Sequence, residues 1–147
     1  MRTDRQLVER LRKIPLFAAC SKDELQQIAA AASTLTFPAG TVLAREGDVG
    51  REFMVIDDGT ADVVIGGAVV NQLGPDDSFG EVALLDGGVR TATVVASTDV
   101  VAYVIEQREF SVLVFDSHSL TRKLLIGLAK LLRSAELRLH ESERSTR

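Results

Sequence analysis

The sequence predicts an α+β protein, a double-sheet β jelly roll with helices on its N-terminal and C-terminal sides. Two observations predict this fold. Between residues 34 and 106, short β-branched runs alternate with turn signals that contain Gly, Pro or Asp, at a spacing that suits seven or eight strands. Before and after this region, apolar residues recur instead with the period of helices.

The change of pattern also sets the expected boundaries. A chain of 147 residues is large enough for one domain with its own core. The expected parts of this single domain are N-terminal helices in 1–33, the β-roll in 34–106, C-terminal helices in 107–141 and a polar tail in 142–147.

Two helices are predicted before the roll. The first carries Leu7, Leu11 and Ile14 at i, i+4 and i+7, the spacing of one helix face. The second begins at a capping box, in which the Ser21 side chain bonds a free N–H of the first turn and the Glu24 side chain bonds back to the N-cap.

Strands are expected wherever β-branched and apolar residues run between turn signals. The predicted strands are residues 35–37, 41–43, 53–56, 61–65, 68–73, 91–96 and 100–105. Gly66 and Gly67 lie between two alternating apolar runs, which predicts a hairpin with a two-residue turn.

Helical periodicity returns after the roll. A short helix is predicted over 107–115, and a long last helix follows. Its apolar stripe consists of Leu120, Leu124, Leu128, Leu131, Ala135 and Leu139. Further apolar residues make the stripe wider than one docking face needs, so we expect a homodimer through Leu125, Leu132 and Leu139.

Composition excludes several classes of function. The net charge of −4 offers no basic surface for nucleic acid or an anionic membrane. Cys20 is the single cysteine, so neither a disulfide framework nor a thiolate metal cluster is expected. No apolar run approaches membrane-spanning length, and the charged N-terminus lacks the apolar core of a signal peptide. A soluble, cytoplasmic protein is expected.

The most informative stretch is residues 79–94, a short apolar helical turn between two glycine-bearing loops. Its charged residues Glu81 and Arg90 could form an exposed ion pair, which contributes at most about 1 kcal/mol. A second interpretation is an anion site. Gly80 and Ala83 let a ligand approach the backbone N–H groups at the start of the turn, and Arg90 offers a planar fork that matches phosphate. Glu81 would accept from a hydroxyl of the same ligand, so a nucleotide is indicated.

This stretch resembles the phosphate-binding cassette of cyclic nucleotide-binding domains, with the pattern F-G-E-x-A-L-L followed by R-(S/T/A)-A-T-V. Every key position is present, and the separation of Glu81 from Arg90 is the one usual in the family. The resemblance covers roughly residues 14–133. Outside the cassette it rests on Gly40, Glu46-Gly47-Asp48, Phe53-Met54-Val55-Ile56, Gly59 and Leu73-Gly74-Pro75.

The resemblance implies the ligand and the role of each contact. Arg90 would pair with the cyclic phosphate, assisted by the backbone N–H groups of Ala83 and Thr91. Glu81 and the Gly80 backbone would hold the ribose 2′-hydroxyl. The expected ligand-binding residues are Phe79, Gly80, Glu81, Val82, Ala83, Leu84, Arg90, Thr91 and Ala92, with Val70 or Leu73 at the base and Arg133 and Ser134 of the last helix as further base contacts.

The base preference depends on Thr91. In this family a threonine after the arginine accompanies cGMP preference in some kinases, but hydroxyl residues here also occur in proteins that take cAMP. Thr91 therefore permits cGMP without requiring it. We expect cAMP as the preferred ligand, with cGMP within about two orders of magnitude, or ~3 kcal/mol.

Catalysis and metal binding are not expected. The two histidines, His118 and His140, lie in the helical C-terminal part, far in sequence from a metal site inside a roll. No nucleophile elbow is present, and Gly87-Gly88 lacks the spacing and lysine of a phosphate loop of the P-loop type. We therefore predict no enzyme activity, no metal and no cofactor other than the nucleotide ligand. We expect no DNA-reading helix-turn-helix after the last helix.

The sequence thus predicts a cyclic nucleotide sensor whose flanking helices pass ligand occupancy to an unknown effector. Two alternatives remain open. The fold could persist as an interaction or dimerisation module that has lost its nucleotide, or the chain could be a regulatory piece of a channel, kinase, acetyltransferase or transcription factor.

Overall fold

A computed structural model describes residues 2–145, and side chains from residue 5 to residue 144. The chain forms two compact units, a roll unit of residues 30–112 and a helical unit of residues 1–29 and 113–147. The strands are β1 (Ser33–Phe37), β2 (Val42–Ala44), β3 (Glu52–Asp58), β4 (Ala61–Ile65), β5 (Ala68–Leu73), β6 (Ser78–Phe79), β7 (Thr93–Ala96) and β8 (Val100–Glu106). The helices are α1 (Arg2–Arg12), α2 (Lys22–Ala30), α3 (Ala83–Asp86), α4 (Gln107–Phe115) and α5 (His118–Ser145), with a 3₁₀ turn at Pro15–Phe17.

The roll unit consists of two four-stranded antiparallel sheets. One has the order β1-β8-β3-β6 and the other β2-β7-β4-β5, which confirms the predicted double-sheet fold. β6 was not predicted as a strand, because two residues carry no periodic signal; it pairs with β3 through Met54 and Phe79. The predicted hairpin joins β4 to β5, and both turn glycines have the positive φ that a type I′ turn needs (56° at Gly66, 82° at Gly67).

The core of the roll unit lies on the inward faces of both sheets. In β7 the residues alternate, so that Val94 and Ala96 are buried while Thr93 and Val95 are partly exposed. The buried cluster contains Leu43, Ala44, Met54, Ile56, Ala61, Leu73, Val94, Ala96, Val100, Ala102 and Val104. Ala44, Leu73 and Val94 of this cluster also border the candidate site.

In the helical unit, the predicted apolar face of α1 is buried through Leu7 and Leu11. The 3₁₀ turn packs closely on α5: a Cβ on Gly127 would clash with the carbonyl group of Leu16, only 2.7 Å from its carbon. α5 therefore has a glycine where it contacts the 3₁₀ turn, because any side chain at that position would overlap the backbone of Leu16. α5 continues to Ser145, so residues 142–145 are helical where a polar tail was expected; Thr146 and Arg147 lie outside the described residues.

The predicted capping box is present and extends into a partly buried ion pair. The N–H of Ser21 donates to Glu24 Oε1 (2.8 Å), and the N–H of Glu24 donates to Ser21 Oγ (3.2 Å). Glu24 also accepts from Ser119 Oγ (3.0 Å) and from Lys123 Nζ (2.5 Å) of α5. One carboxylate therefore caps α2 and holds α5 beside it.

None of the helices within the described residues has the length and apolar character to cross a membrane.

Glu24 predicts how stability depends on pH. Burial by itself raises the pKa of Glu24, but the hydrogen bonds from Lys123, Ser21 and Ser119 outweigh it and lower the pKa from 4.5 to about 2. The stability that this group contributes is therefore complete above pH 4.5 and is lost as the pH falls through about 2. A shift of this size corresponds to about 3 kcal/mol.

We predict that Glu24→Gln lowers the free energy of unfolding at pH 7 and flattens its decline between pH 4.5 and 2, as measured by urea titration across this range. Glu9→Gln is the matched control, because Glu9 is an exposed glutamate that pairs with Arg12 on the surface of α1. An acid decline equally steep in the Glu24 variant and the parent would contradict the assignment.

Candidate functional site

The candidate site is built on the short segment that joins β6 to β7. The chain leaves β6 at Phe79 and turns at Gly80, whose φ of 89° is open to glycine at little cost. One turn of helix, α3, follows and ends at Gly87, whose N–H donates to the carbonyl of Ala83 (2.9 Å). The first N–H that bonds back into this turn is that of Leu84, to the carbonyl of Glu81 (3.3 Å), so the N–H of Ala83 is free of the turn's own bonds.

A backbone ribbon fixes the position of Arg90. Residues 47–50 run antiparallel to residues 88–90, about forty positions later in the chain. The N–H of Arg90 donates to the carbonyl of Asp48 (2.7 Å), and its own carbonyl accepts from the N–H of Gly47 (3.0 Å). The N–H of Gly50 donates to Gly88 (2.9 Å). The backbone N–H and the carbonyl of Arg90 are therefore both hydrogen-bonded, independently of the contacts of its side chain.

The guanidinium of Arg90 is enclosed by the protein. Its side chain is only 9% exposed. Nη2 donates to the backbone carbonyl of Glu52 (2.5 Å) and lies 3.8 Å from the Glu52 carboxylate, and the group faces the ring of Phe79 at 5.9 Å. Burial lowers the pKa of Arg90, and the Glu52 carboxylate acts in the opposite direction. Since an arginine remains protonated in proteins, a fixed positive charge results.

Two glycines make room for this side chain. A Cβ on Gly50 would lie 2.8 Å from Nε of Arg90 and 3.0 Å from its Cδ. A Cβ on Gly80 would clash with Nη1 of Arg90 and would lie 2.6 Å from the carbonyl oxygen of Glu52. Gly50 therefore makes room for Cδ and Nε of Arg90, and Gly80 makes room for the end of its guanidinium.

A cavity of about 430 Å³ opens beside Arg90. Its floor comes from the sheet β2-β7-β4, where Val94 pairs with Ala44 on one side and with Val63 on the other, so that these three residues lie in a row. The lining consists of Ala44, Val63, Leu73, Ser78, Phe79, Gly80, Glu81, Val82, Ala83, Asp86, Gly88, Val89, Arg90, Thr91, Ala92 and Val94. An apolar floor therefore meets a rim with one cation and several backbone groups, in the size range of small-molecule sites.

Known proteins resemble this chain in both sequence and fold. Residues 34–117 match the family model described as "Cyclic nucleotide-binding domain". The chain belongs to the cyclic nucleotide-binding domain family. The match covers the whole roll from the second residue of β1 to the end of α4, including every lining residue of the cavity.

Curated members of this family align with part of the chain. It is 43% identical over 89 residues to a cAMP-dependent protein kinase regulatory subunit of Schizosaccharomyces pombe, which covers 60% of this chain and 22% of that protein. It is 34% identical over 104 residues to a protein of the same name from Candida albicans, covering 71% of this chain and 23% of that protein. The chain thus spans less than a quarter of the length of these relatives.

Solved structures match a larger share of the chain. The N-terminal domain of a transcriptional regulator from Streptomyces coelicolor A3(2) aligns with 86% of this chain and 94% of its own, at a TM-score of 0.77 and 28% identity. A cyclic nucleotide-binding-like protein from Brucella abortus aligns with 74% of this chain and 97% of its own, at a TM-score of 0.69 and 25% identity.

Most residues expected at the nucleotide site of this family lie together at the cavity. Those in its lining are Leu73, Phe79, Gly80, Glu81, Val82, Ala83, Arg90, Thr91 and Ala92. Leu84, a residue of α3, is not among them, and its side chain is buried. Arg133 and Ser134 belong to the helical unit, where both side chains are exposed on α5.

Val70 and Leu73 were alternatives for the base pocket, and the structure brings only Leu73 to the cavity. Val63 pairs with Asn71 while Val64 pairs with Val69, so Val70 is the extra residue of a β-bulge. Its side chain is 56% exposed. Because Val70 and Leu73 are three positions apart, the alternation of side chains along a strand also favours only one of them at the cavity.

Sequence reasoning missed the residues that support Arg90. Gly50 and Glu52 contact its side chain, and Asp48 holds its backbone. The family resemblance did include the turn at residues 46–48, but nothing in the local sequence indicated that this turn pairs with residues 88–90. Nor did it indicate the floor residues Ala44, Val63 and Val94, which become neighbours only through strand register.

Within the described residues, no group of three or more His, Cys, Asp or Glu side chains is arranged to hold a metal ion.

We predict that Gly80→Ala is markedly destabilising, because the added methyl meets Arg90 and the carbonyl of Glu52 and the residue keeps a positive φ. Overpacking of this kind costs about 1–3 kcal/mol, in addition to the cost of the left-handed backbone. Gly40→Ala is a close control: its φ of 88° is nearly the same, but a Cβ there meets nothing within 4 Å. Urea denaturation of both variants isolates the clash, and equal losses of stability would contradict it.

Proposed function

We propose that the chain is a regulatory domain that binds a 3′,5′-cyclic nucleotide, with cAMP preferred over cGMP. The observation that carries this proposal is the enclosed Arg90 guanidinium beside the start of α3, at the rim of an apolar cavity of about 430 Å³. The proposal concerns ligand binding and regulation, not catalysis.

The rim supports a contact to the phosphate and to the ribose. Arg90 would donate to the cyclic phosphate, because its guanidinium is fixed by Glu52 and Phe79 and needs little ordering upon binding. The N–H of Ala83, which makes no bond within its own turn, would add a second donor, and that of Thr91 a third. Glu81 lines the cavity and would accept from the ribose 2′-hydroxyl, together with the Gly80 backbone.

The floor supports a base held mainly by apolar contact. Ala44, Val63, Leu73 and Val94 offer no side-chain hydrogen bond to a base edge. Selection between adenine and guanine therefore falls to rim groups such as Thr91, and we expect it to be modest. The preference for cAMP also draws on the relatives named cAMP-dependent protein kinase regulatory subunits.

Calorimetric titration with cAMP and cGMP tests the proposal. We expect saturable binding of cAMP, with cGMP weaker by no more than about a hundredfold, and a gain in stability of ~2.7 kcal/mol at 100 times the dissociation constant. Arg90→Ala should weaken cAMP at least about tenfold, because charge-assisted hydrogen bonds contribute ~1.5–3 kcal/mol each. Glu81→Ala should lose discrimination against 2′-deoxy-cAMP.

The control is Arg108→Ala, since Arg108 is an exposed arginine of the roll unit that does not line the cavity. If neither cyclic nucleotide binds at millimolar concentration, the sensor function is excluded and an interaction module that has lost its ligand becomes the better account. Parent-like binding by the Arg90 variant would show that the phosphate lies elsewhere.

We further propose that α5 forms a homodimer and that ligand occupancy changes its position. Leu125, Leu132 and Leu139 repeat every seven residues and are 61%, 61% and 63% exposed, which gives α5 an uncovered apolar seam. A ligand can act on this helix only if it favours one of its placements. The dimerisation constant should then differ with and without cAMP, because the two equilibria are linked. An effector protein or domain would respond to this change.

Sedimentation with and without cAMP measures both effects. We expect a weak dimer whose dissociation constant changes upon ligand addition, and Leu132→Lys should abolish the dimer. Leu137→Lys is the matched control, because Leu137 is equally exposed at 63% but lies on a different face of α5. A strictly monomeric parent, or equal effects of the two variants, would count against the seam. A dimerisation constant that does not change when cAMP is added would count against the coupling between ligand binding and dimerisation.

A further inference from the structure

The cavity holds more carboxylates than cations. Among the described residues that line it, Arg90 is the one cationic side chain, whereas Glu81 and Asp86 are acidic. A third carboxylate, that of Glu52, lies 3.8 Å from Nη2 of Arg90 and already offsets part of its charge. The site as a whole is therefore formally negative although it is expected to take an anion. Such a site should favour the anion with the smallest charge.

Nucleotides differ in this property even when base and ribose are the same. The phosphodiester of a cyclic nucleotide carries one negative charge. A phosphomonoester has a second pKa near 6 and carries about −1.5 to −2 at pH 7, and nucleoside triphosphates carry more. A cavity of about 430 Å³ that is open to solvent does not by itself exclude the linear forms by size. Charge is therefore a means of discrimination that the site can use.

Asp86 has a well-defined position at the rim of the cavity. It is the last residue of α3, three positions after Ala83, which corresponds to about 4.5 Å along a helix axis. Its Oδ1 accepts the N–H of Gly88 (2.7 Å), and both of its carboxylate oxygens lie about 3 Å from where a Cβ on Gly88 would be. The carboxylate is thus held at the rim and does not swing freely.

The charge of Asp86 is also not cancelled locally. The ion pair of Arg90 is made with Glu52, and within the described part of the chain no cationic side chain lies at ion-pair distance from Asp86. Glu81, in contrast, has a proposed partner in the ribose. Asp86 is therefore the lining carboxylate to which the proposed ligand contacts assign no partner.

We propose that Asp86 sets the charge selectivity of the cavity. Its carboxylate repels the doubly charged phosphomonoester of linear nucleotides more strongly than the singly charged phosphodiester of cyclic nucleotides. The repulsion scales with the product of the two charges, so its free energy is about twice as large for the dianion. This selectivity rests on the proposed function, since it acts on the same ligand site.

The test uses Asp86→Asn, which removes the charge but keeps the oxygen that accepts from Gly88. Three probes separate charge from shape: cAMP is cyclic with one charge, 5′-AMP is linear with about two, and the methyl ester of 5′-AMP is linear with one. Affinities are measured by competition with a fluorescent cyclic nucleotide at pH 7.5 and low salt. Asp77→Asn is the matched control, since Asp77 also accepts a backbone N–H (from Gly74, 2.8 Å) and is exposed, but does not line the cavity.

In Asp86→Asn we expect 5′-AMP to bind about tenfold tighter, and cAMP and the methyl ester only about threefold tighter, with both gains shrinking at high salt. Asp77→Asn should change none of the three. Equal gains for 5′-AMP and cAMP, or no gain for 5′-AMP, including binding that stays undetectable, would overturn the charge selectivity while leaving the cyclic nucleotide function intact. A parent protein that fails to bind cAMP would overturn both.

Discussion

The site depends on the burial of one guanidinium. Arg90 is enclosed against the Phe79 ring and bonded to the Glu52 carbonyl, and two glycines leave the space through which its side chain passes. Burying a cation is costly unless hydrogen bonds and a counter-charge accompany it. Glu52 supplies both, through its carbonyl and its carboxylate. The charge is therefore fixed in place before any anion arrives, and a phosphate would find a donor that needs little reorganisation.

This arrangement also constrains the chain around it. The paired segments 47–50 and 88–90 hold the backbone of Arg90. α3 is only one turn long and ends at Gly87. Under the proposed charge selectivity, the carboxylates at the rim limit the charge of the anion that Arg90 can accept. With Glu52 beside the guanidinium and Asp86 at the end of α3, one cation faces several acids. A singly charged phosphodiester would, on this proposal, suit the balance better than a more highly charged phosphate.

The helical unit uses a second buried charge for a different purpose. Glu24 caps α2 and binds Ser119 and Lys123 of α5, so one carboxylate joins two helices that are almost a hundred residues apart in the sequence. Beyond that point α5 is increasingly exposed, with Leu125, Leu132 and Leu139 uncovered. A helix that is held firmly near its start and offers an apolar seam further on is suited to meet a partner.

Local chemistry in the sequence was sufficient for most of the fold. Seven of the eight strands in the described residues were predicted, as were the glycine hairpin and the capping box, because each depends on the periodicity or turn chemistry of neighbouring residues. The cassette around Glu81 and Arg90 was also evident, since its residues are close in sequence. What only the tertiary structure decided depends on pairings between distant segments. The support of Arg90 by Gly50 and Glu52 and the row of Ala44, Val63 and Val94 follow from backbone pairing and strand register, which no single segment encodes.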